Sequence, residues 1–251
     1  MKKELNPFQF RNINLLTHLL EQDAITDEIV EFIRQSELDY FSLFDKYRLL
    51  EKNINIDEKT NILKFKKDYL TNILKTALRI YYGMHNMNYF VSLVRFDIDD
   101  FSIFNNKYGH EVGDKVLIAV ANILKLNSRP TDYVIRFGGE EFDVILPGTD
   151  MDGAAVYVEK IYKKLKKTHV SYKKEKLAVT MSAGISYFSY NFKNSKTIID
   201  QKIEKSFKNL QKEADDALYE AKYLGKNRYS IYSKNKSDEY PKIRRMYIKL
   251  K

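Results

Sequence analysis

Apolar positions along this chain change their spacing more than once, and each change marks a different kind of element. From Ile29 they fall at Ile29, Ile33, Ser36, Tyr40, Leu43, Tyr47, Leu50 and Ile54, in steps that alternate four and three. That is the heptad spacing by which two helices supercoil around one seam. Phe32, Phe41, Phe44 and Leu49 widen the stripe, as they would on a helix packed against its own domain. Both readings stand, and the regular alternation tips the balance towards self-association. Residues 8–54 therefore read as helical, with no evident chemistry.

A boundary falls near Ile56, beyond which helical and strand patterns alternate. Lys66–Met84 reads as an amphipathic helix. Tyr89–Phe96 is an almost unbroken apolar run of strand length, as expected of a strand buried on both faces. Val112–Leu126 is a helix with Val116, Leu117, Val120, Ile123 and Leu124 on one side. Tyr133–Phe137 and Phe142–Leu146 are short strands around Gly138-Gly139-Glu140-Glu141, a hairpin signature. Asp152–Thr168 (helix), Leu177–Phe188 (strand), Asn209–Leu224 (helix) and Arg228–Tyr232 (strand) complete the series. The order predicts an α/β domain with a mixed five-stranded sheet flanked by helices, preceded by a small helical region. The predicted division is 1–55 helical, 56–232 the α/β domain and 233–251 a basic tail. The polar, lysine-rich stretch 189–208 reads as a loop insertion running into the following helix.

Composition narrows the class. At 44% hydrophobic and 31% charged residues the chain is globular, too apolar and aromatic for disorder. It has no cysteine, which excludes disulfides and thiolate metal sites. No apolar run reaches the ~18 residues needed to span a bilayer, and nothing at the start resembles a signal peptide, so a cytoplasmic protein is expected. The net charge of +9 is concentrated in two places. Lys163–Lys176 carries seven lysines against one glutamate, and 233–251 carries seven basic residues against two acidic ones. A solvated face and a loose tail explain such runs more simply than a nucleic-acid or membrane site, and no aromatic interleaving supports nucleic-acid binding.

Four groups of residues carry chemistry. In Arg136-Phe137-Gly138-Gly139-Glu140-Glu141-Phe142, two glycines leave no side chain between the backbone and a ligand, and two carboxylates follow at once. Core packing does not ask for that arrangement, although a plain glycine hairpin with solvated acids would show it too. Asp97 ends the buried strand in Phe96-Asp97-Ile98-Asp99-Asp100-Phe101, an unusual place for a carboxylate unless it binds something or caps the next helix. Asp99 suits a structural role better. Asn105 and Gly109-His110-Glu111-Val112-Gly113-Asp114 follow. Arg129-Pro130-Thr131-Asp132 precedes the hairpin, and Ala214-Asp215-Asp216-Ala217-Leu218-Tyr219-Glu220-Ala221-Lys222 leads to Gly225-Lys226-Asn227.

Together these motifs, in this order across roughly 57–232, resemble the GGDEF family of diguanylate cyclases, in its Glu variant. The resemblance implies a nucleotidyl-cyclase palm and condensation of two GTP molecules into cyclic di-GMP with release of two pyrophosphates. It implies Mg2+ as cofactor, with Mn2+ as the alternative, held by Asp97, the Ile98 carbonyl and Glu140. Hard oxygen ligands together with a triphosphate suit that ion. Glu140 and Glu141 would be catalytic, Glu141 either positioning the metal or activating the attacking hydroxyl. Asn105 and Asp114 would read guanine, whose N1–H and N2–H are donors that a carboxylate accepts and that adenine does not match. Lys222 and Lys226 would meet the phosphates, and Gly138 and Gly139 would form the turn beside them. Arg129 and Asp132 would bind the product as an inhibitor, through the two-pronged Arg contact to guanine O6 and N7; a surface ion pair is the plainer account. A homodimer is implied, because one GTP attacks another.

Two departures stand out. The stretch at Asp57-Glu58-Lys59-Thr60-Asn61-Ile62-Leu63-Lys64-Phe65 keeps only Asp57 and Thr60 of the family's opening motif, and Ser102 stands where a phosphate-side lysine is usual. Lys226 replaces the usual arginine, keeping the charge but not the planar fork. The alternative function is a catalytically weak module that binds GTP or cyclic di-GMP as a receptor.

Overall fold

The computed structural model describes residues 26–29, 31, 32, 34, 35, 38, 39, 42, 55–66, 71, 88–191 and 200–249. Apart from Lys66 and Thr71, the expected helix Lys66–Met84 lies outside the described residues, as do the heptad positions after Ile29.

The sheet has six strands rather than five: β1 (Leu63–Lys64), β2 (Asn88–Ile98), β3 (Tyr133–Gly138), β4 (Glu141–Pro147), β7 (Met181–Asn191) and β8 (Tyr229–Ile231). They lie in the order β1-β3-β4-β2-β7-β8. The added member is a two-residue edge strand, Leu63 and Lys64, parallel to Ile135 and Arg136. It is too short to leave a periodic signal. The β1–β3 and β7–β8 pairs are parallel and the others antiparallel, so the sheet is mixed.

Helices α1 (Phe101–Tyr108), α2 (His110–Asn127), α3 (Met151–Leu165), α4 (Asp200–Tyr223) and α5 (Tyr240–Lys249) complete the domain. Val94, Phe96, Phe142 and Val144 on one sheet face share a core with Val116, Val120 and Leu124 of α2 and Val158 and Ile161 of α3. The other face is covered by α4 through Ala214, Ala217, Leu218 and Ala221, all fully buried. Gly184 of β7 allows this close approach, since a Cβ there would overlap the Ala214 carbonyl and the Leu218 amide.

Three expectations change. The lysine-rich run is the end of α3 followed by a separate small hairpin, β5 (Val170–Tyr172) with β6 (Glu175–Leu177), so the strand expected from Leu177 starts at Met181. The supposed insertion is largely regular: β7 continues to Asn191 and α4 begins at Asp200, burying Phe207 and Leu210. The basic tail is not loose. After a short 3-10 turn (Lys234–Lys236) it forms α5, which packs on α4 and buries Tyr240 and Tyr247. Two aromatic anchors about two helical turns apart are easily overlooked among so many charges.

Candidate active site

The site grows from the end of the central strand. Along β2 the side chains alternate, so Phe96 and Ile98 enter the core while Arg95 and Asp97 share the face under α4. Register places Asp97 opposite Glu141 and Arg95 opposite Asp143. The hairpin turn brings Glu140 to the same place, its carbonyl accepting from the Ile98 amide at 3.4 Å. Gly139 has φ 42°, and a Cβ on either Gly138 or Gly139 would meet nothing within 4 Å, so open space lies over the turn's backbone. The Arg136 guanidinium folds back onto the Gly139 carbonyl at 2.9 Å and reaches Asp57 at 3.0 Å, fastening the diverged loop to the hairpin.

A pocket at this point is lined by Asp97, Ile98 and Glu140, by Asp99 to Ser102, and by Lys222, Lys226 and Tyr247. Lys222 lies on Asp97 at 2.7 Å and Lys226 on Asp100 at 2.6 Å, so both predicted phosphate lysines reach the pocket with carboxylates as partners. Burial pushes the Asp97 carboxyl above the usual carboxylate range. Lys222 opposes the shift, and Glu140 and Asp99 add to it. Glu141 is pushed up in the same way, by burial and Asp97 against the pull of Arg95. Burial disfavours the Lys222 charge, but Asp97 more than offsets this and holds its ammonium above the ordinary value. Burial does most to raise the two acids, and Asp97 raises the base. The excess of negative charge lies in the lining itself, where Asp97, Asp99, Asp100 and Glu140 face Lys222 and Lys226.

That excess is the test for a divalent cation. Among the described residues no three His, Cys, Asp or Glu side chains form a ready metal cage. Magnesium, however, is commonly held by one or two carboxylates with substrate phosphates completing the set. Asp97, Glu140 and the Ile98 carbonyl offer hard oxygens on one pocket wall, and the residues fit the ion.

Asp99 is structural, though not as a helix cap. Its carboxylate accepts from Thr180 Oγ1 at 2.7 Å, Ser182 Oγ at 2.6 Å and the Asn227 amide at 3.0 Å, tying β2 to β7 and to the turn after α4. Asp100, at φ 54°, precedes α1 without a side-chain cap bond.

Asn105 and Asp114 lie at the corner between α1 and α2, joined to the pocket through the first turn of α1. Asn105 Oδ1 is buried without a hydrogen-bond partner, and Gly113 makes room for it, since a Cβ there would overlap that oxygen. Asp114 accepts from Lys59 at 2.6 Å. Arg129 and Asp132 sit apart, on the loop from α2 to β3. Asp132 Oδ2 accepts from the Arg129 backbone amide at 2.7 Å, while its Oδ1 is buried and unpartnered. Burial pushes the Asp132 carboxyl up.

Several contributors escaped the sequence reading. Arg95 is buried, grips Asp143 with two bonds of 2.8 Å, reaches Asp215 at 3.5 Å and lies 3.8 Å from the Phe137 ring centroid. Its signal was available: one charged residue inside an apolar strand, two positions before Asp97. Lys59 and Tyr247 had no such mark, because their partners are distant in sequence.

Residues 54–228 match the sequence model of the family described as diguanylate cyclase, GGDEF domain. The chain belongs to that family. It is 36% identical over 145 residues to diguanylate cyclase A of Treponema denticola, a match covering 58% of this chain and 36% of that protein. Diguanylate cyclase DgcM of Escherichia coli is 37% identical over 137 residues, covering 55% and 30%. This chain thus spans well under two thirds of these relatives. Among solved structures, the SiaD diguanylate cyclase of Pseudomonas aeruginosa, in complex with its activator SiaC, superimposes with a TM-score of 0.62 at 23% identity, covering 89% of this chain and 78% of that one, a likeness of fold. The GGDEF domain of DgcB from Caulobacter crescentus, in complex with c-di-GMP, gives 0.56 at 26% identity, covering 71% and 95%. The mixed α/β fold with its central sheet between helices is the GGDEF fold. No helix among the described residues is long and apolar enough to cross a membrane.

Proposed function

We propose that this GGDEF protein condenses two GTP molecules into cyclic di-GMP as a Mg2+-dependent homodimer in the cytoplasm, and that its product inhibits it. The observation that carries the reading is the convergence of Asp97, Ile98 and Glu140 with Lys222 and Lys226 on one pocket. Asp97, the Ile98 carbonyl and Glu140 would hold Mg2+, with Mn2+ as the alternative. Such an ion, when bound, supplies charge neutralisation at the phosphates and acidifies a coordinated hydroxyl.

The chain's own residues orient the rest. Lys222 and Lys226 exchange their present carboxylate partners for phosphate oxygens, a trade of one anion for another of similar strength. The open Gly138-Gly139 turn lets the nucleotide approach backbone amides. Asn105 Oδ1, unpartnered in its buried setting, is an acceptor for a guanine N–H, and Asp114 takes the remaining donors on release from Lys59. Glu141, with a carboxyl held above its usual range, is a stronger base than an ordinary glutamate and is suited to draw the proton from the attacking 3′-hydroxyl. That hydroxyl displaces pyrophosphate from the α-phosphorus of the second GTP, so two protomers must face each other. The unpartnered Asp132 oxygen beside Arg129 is an acceptor suited to a guanine edge at the inhibitory site.

Purified protein incubated with GTP and Mg2+ should yield cyclic di-GMP by chromatography, and Glu140→Ala should yield none. Arg129→Ala should keep its rate as product accumulates. A wild-type protein that binds GTP yet forms no product would leave only the receptor reading.

A further inference from the structure

The corner between α1 and α2 offers guanine acceptors, but the edge of that base needs a donor as well. Asn105 Oδ1 lies against Gly113, the residue before Asp114, where a Cβ would overlap it. Asn105 Oδ1 and the Asp114 carboxylate match the N1–H and N2–H groups of guanine. They leave O6, itself an acceptor, unmet. Lys59 brings a donor to the same point: its ammonium donates to Asp114 Oδ1 at 2.6 Å.

The loop, rather than the ion pair, keeps Lys59 at this corner. Asp57 accepts from the Thr60 amide at 2.9 Å, the Thr60 hydroxyl at 2.6 Å and Arg136 at 3.0 Å. Lys125 of α2 donates to the Asn61 carbonyl at 2.9 Å, and Thr60 and Ile62 are buried. The backbone at Lys59 is thus held from both sides, by the hairpin and by α2. Its side chain is 43% exposed and that of Asp114 40%. An ion pair this open contributes little by itself. Breaking it costs little, and the ammonium stays within reach of whatever Asp114 binds. Asp57 and Thr60, the two positions retained from the family's opening motif, shape the loop, and Lys59 between them is one of the departures.

Resting on the guanine reading of this corner, we propose that Lys59 is a specificity-determining residue whose ammonium donates to guanine O6 once Asp114 turns from it to the N–H groups of the base. The exchange strands no charge: the carboxylate keeps donors and the ammonium gains an acceptor. Adenine carries an amino donor where guanine carries O6. The same exchange would leave the ammonium facing N–H bonds, so adenine is disfavoured at Lys59 as well as at Asp114.

Removing Lys59 deletes its bond in the free protein together with the one to the base, so affinity alone does not isolate O6. A ratio does. GTP bearing a methylene in place of the α,β-bridging oxygen cannot release pyrophosphate. Its 6-thio counterpart keeps both N–H donors but offers sulfur, a weaker acceptor, in place of O6. In calorimetry on the full chain, the 6-thio analogue should bind about fivefold more weakly than the oxygen form. In Lys59→Met the two should bind within about 1.5-fold of each other, because the contact that tells them apart is gone. Lys59→Arg should retain the preference, as should Lys115→Met, an equal loss of charge beside Asp114. The advantage of the guanine analogue over its adenine counterpart should narrow in Lys59→Met. An oxygen-to-sulfur ratio equal in wild type and Lys59→Met, as expected of a lysine that only competes for Asp114, would overturn the proposal. With guanine still bound in preference to adenine, that result would leave the guanine reading intact. Equal binding of the guanine and adenine analogues by wild type would defeat that reading and this proposal together. A chain that makes no cyclic di-GMP yet shows the Lys59-dependent ratio would defeat the cyclase reading alone.

Discussion

Asp97 and Glu141 face each other across two adjacent strands, both displaced upward from ordinary carboxylates by burial. A site arranged in this way carries a cost in the free protein that a cation can relieve, a familiar trade between stability and function. The sign for Glu141 follows from its raised pKa. Protonation is easier in the folded state than in the unfolded chain. Folding is therefore favoured while the group is protonated, below the unfolded value of about 4.3, and that benefit is lost as pH rises through the raised folded value. At pH 7 the ionised group works against the fold. Metal-free Glu141→Gln should melt at a higher temperature than wild type at pH 7, and the difference should close as pH falls below about 4.5. Calorimetric scans at the two pH values check this; a gain that persists in acid would show that packing, not charge, is responsible.

At the scale of elements, the face of β2 and β4 under α4 joins polar residues where an apolar reading expects none. Arg95 is 4% exposed and Asp143 1%; Arg95 grips Asp143 and reaches Asp215, which in turn pairs with Arg244, a chain of charges linking sheet, α4 and α5. Buried ions of this kind tolerate removal together better than removal singly. Arg95→Met should destabilise the fold by about 3–5 kcal/mol, since Asp143 is left buried without its partner. The Arg95→Met/Asp143→Leu pair should recover most of that loss in urea unfolding. Equal losses in the single and double variants would mean that the guanidinium matters through its contact with Phe137 rather than through its charge. The same elements explain why α4 can sit so close: Gly184 and the alanines at 214, 217 and 221 remove side-chain bulk from both sides of the contact.

For the molecule as a whole, the proposed reaction would bring two nucleotides together, with the pocket of one chain supplying half of it. Specific activity should therefore fall on dilution once the protein passes below its dimer dissociation constant, and mixing Glu140→Ala with wild type in excess should depress it further. Enzyme titration followed by the rate of pyrophosphate release measures both; a specific activity constant over a hundredfold dilution to nanomolar protein, with no effect of the inactive partner, would argue for catalysis within one chain.

Period and motif together determined much of this protein. The alternating helix and strand patterns placed β2, β3, β4 and α2 to within about two residues at each end, because near-continuous apolar runs mark strands covered on both faces and one apolar stripe marks α2. The glycine-glycine-glutamate hairpin and Asp97 were visible because they break that rule where packing offers no reason to do so. Tertiary structure decided what local spacing cannot encode. The edge strand Leu63–Lys64 exists only through its pairing with Ile135 and Arg136, and α5 only through the surface of α4 that receives Tyr240 and Tyr247. Lys59 on Asp114, Arg95 between Asp143 and Asp215, and Tyr247 beside the two lysines are contacts between residues far apart along the chain. Charge and hydrogen bonding act through space over a few ångströms, so which partners meet is settled only when the chain has folded.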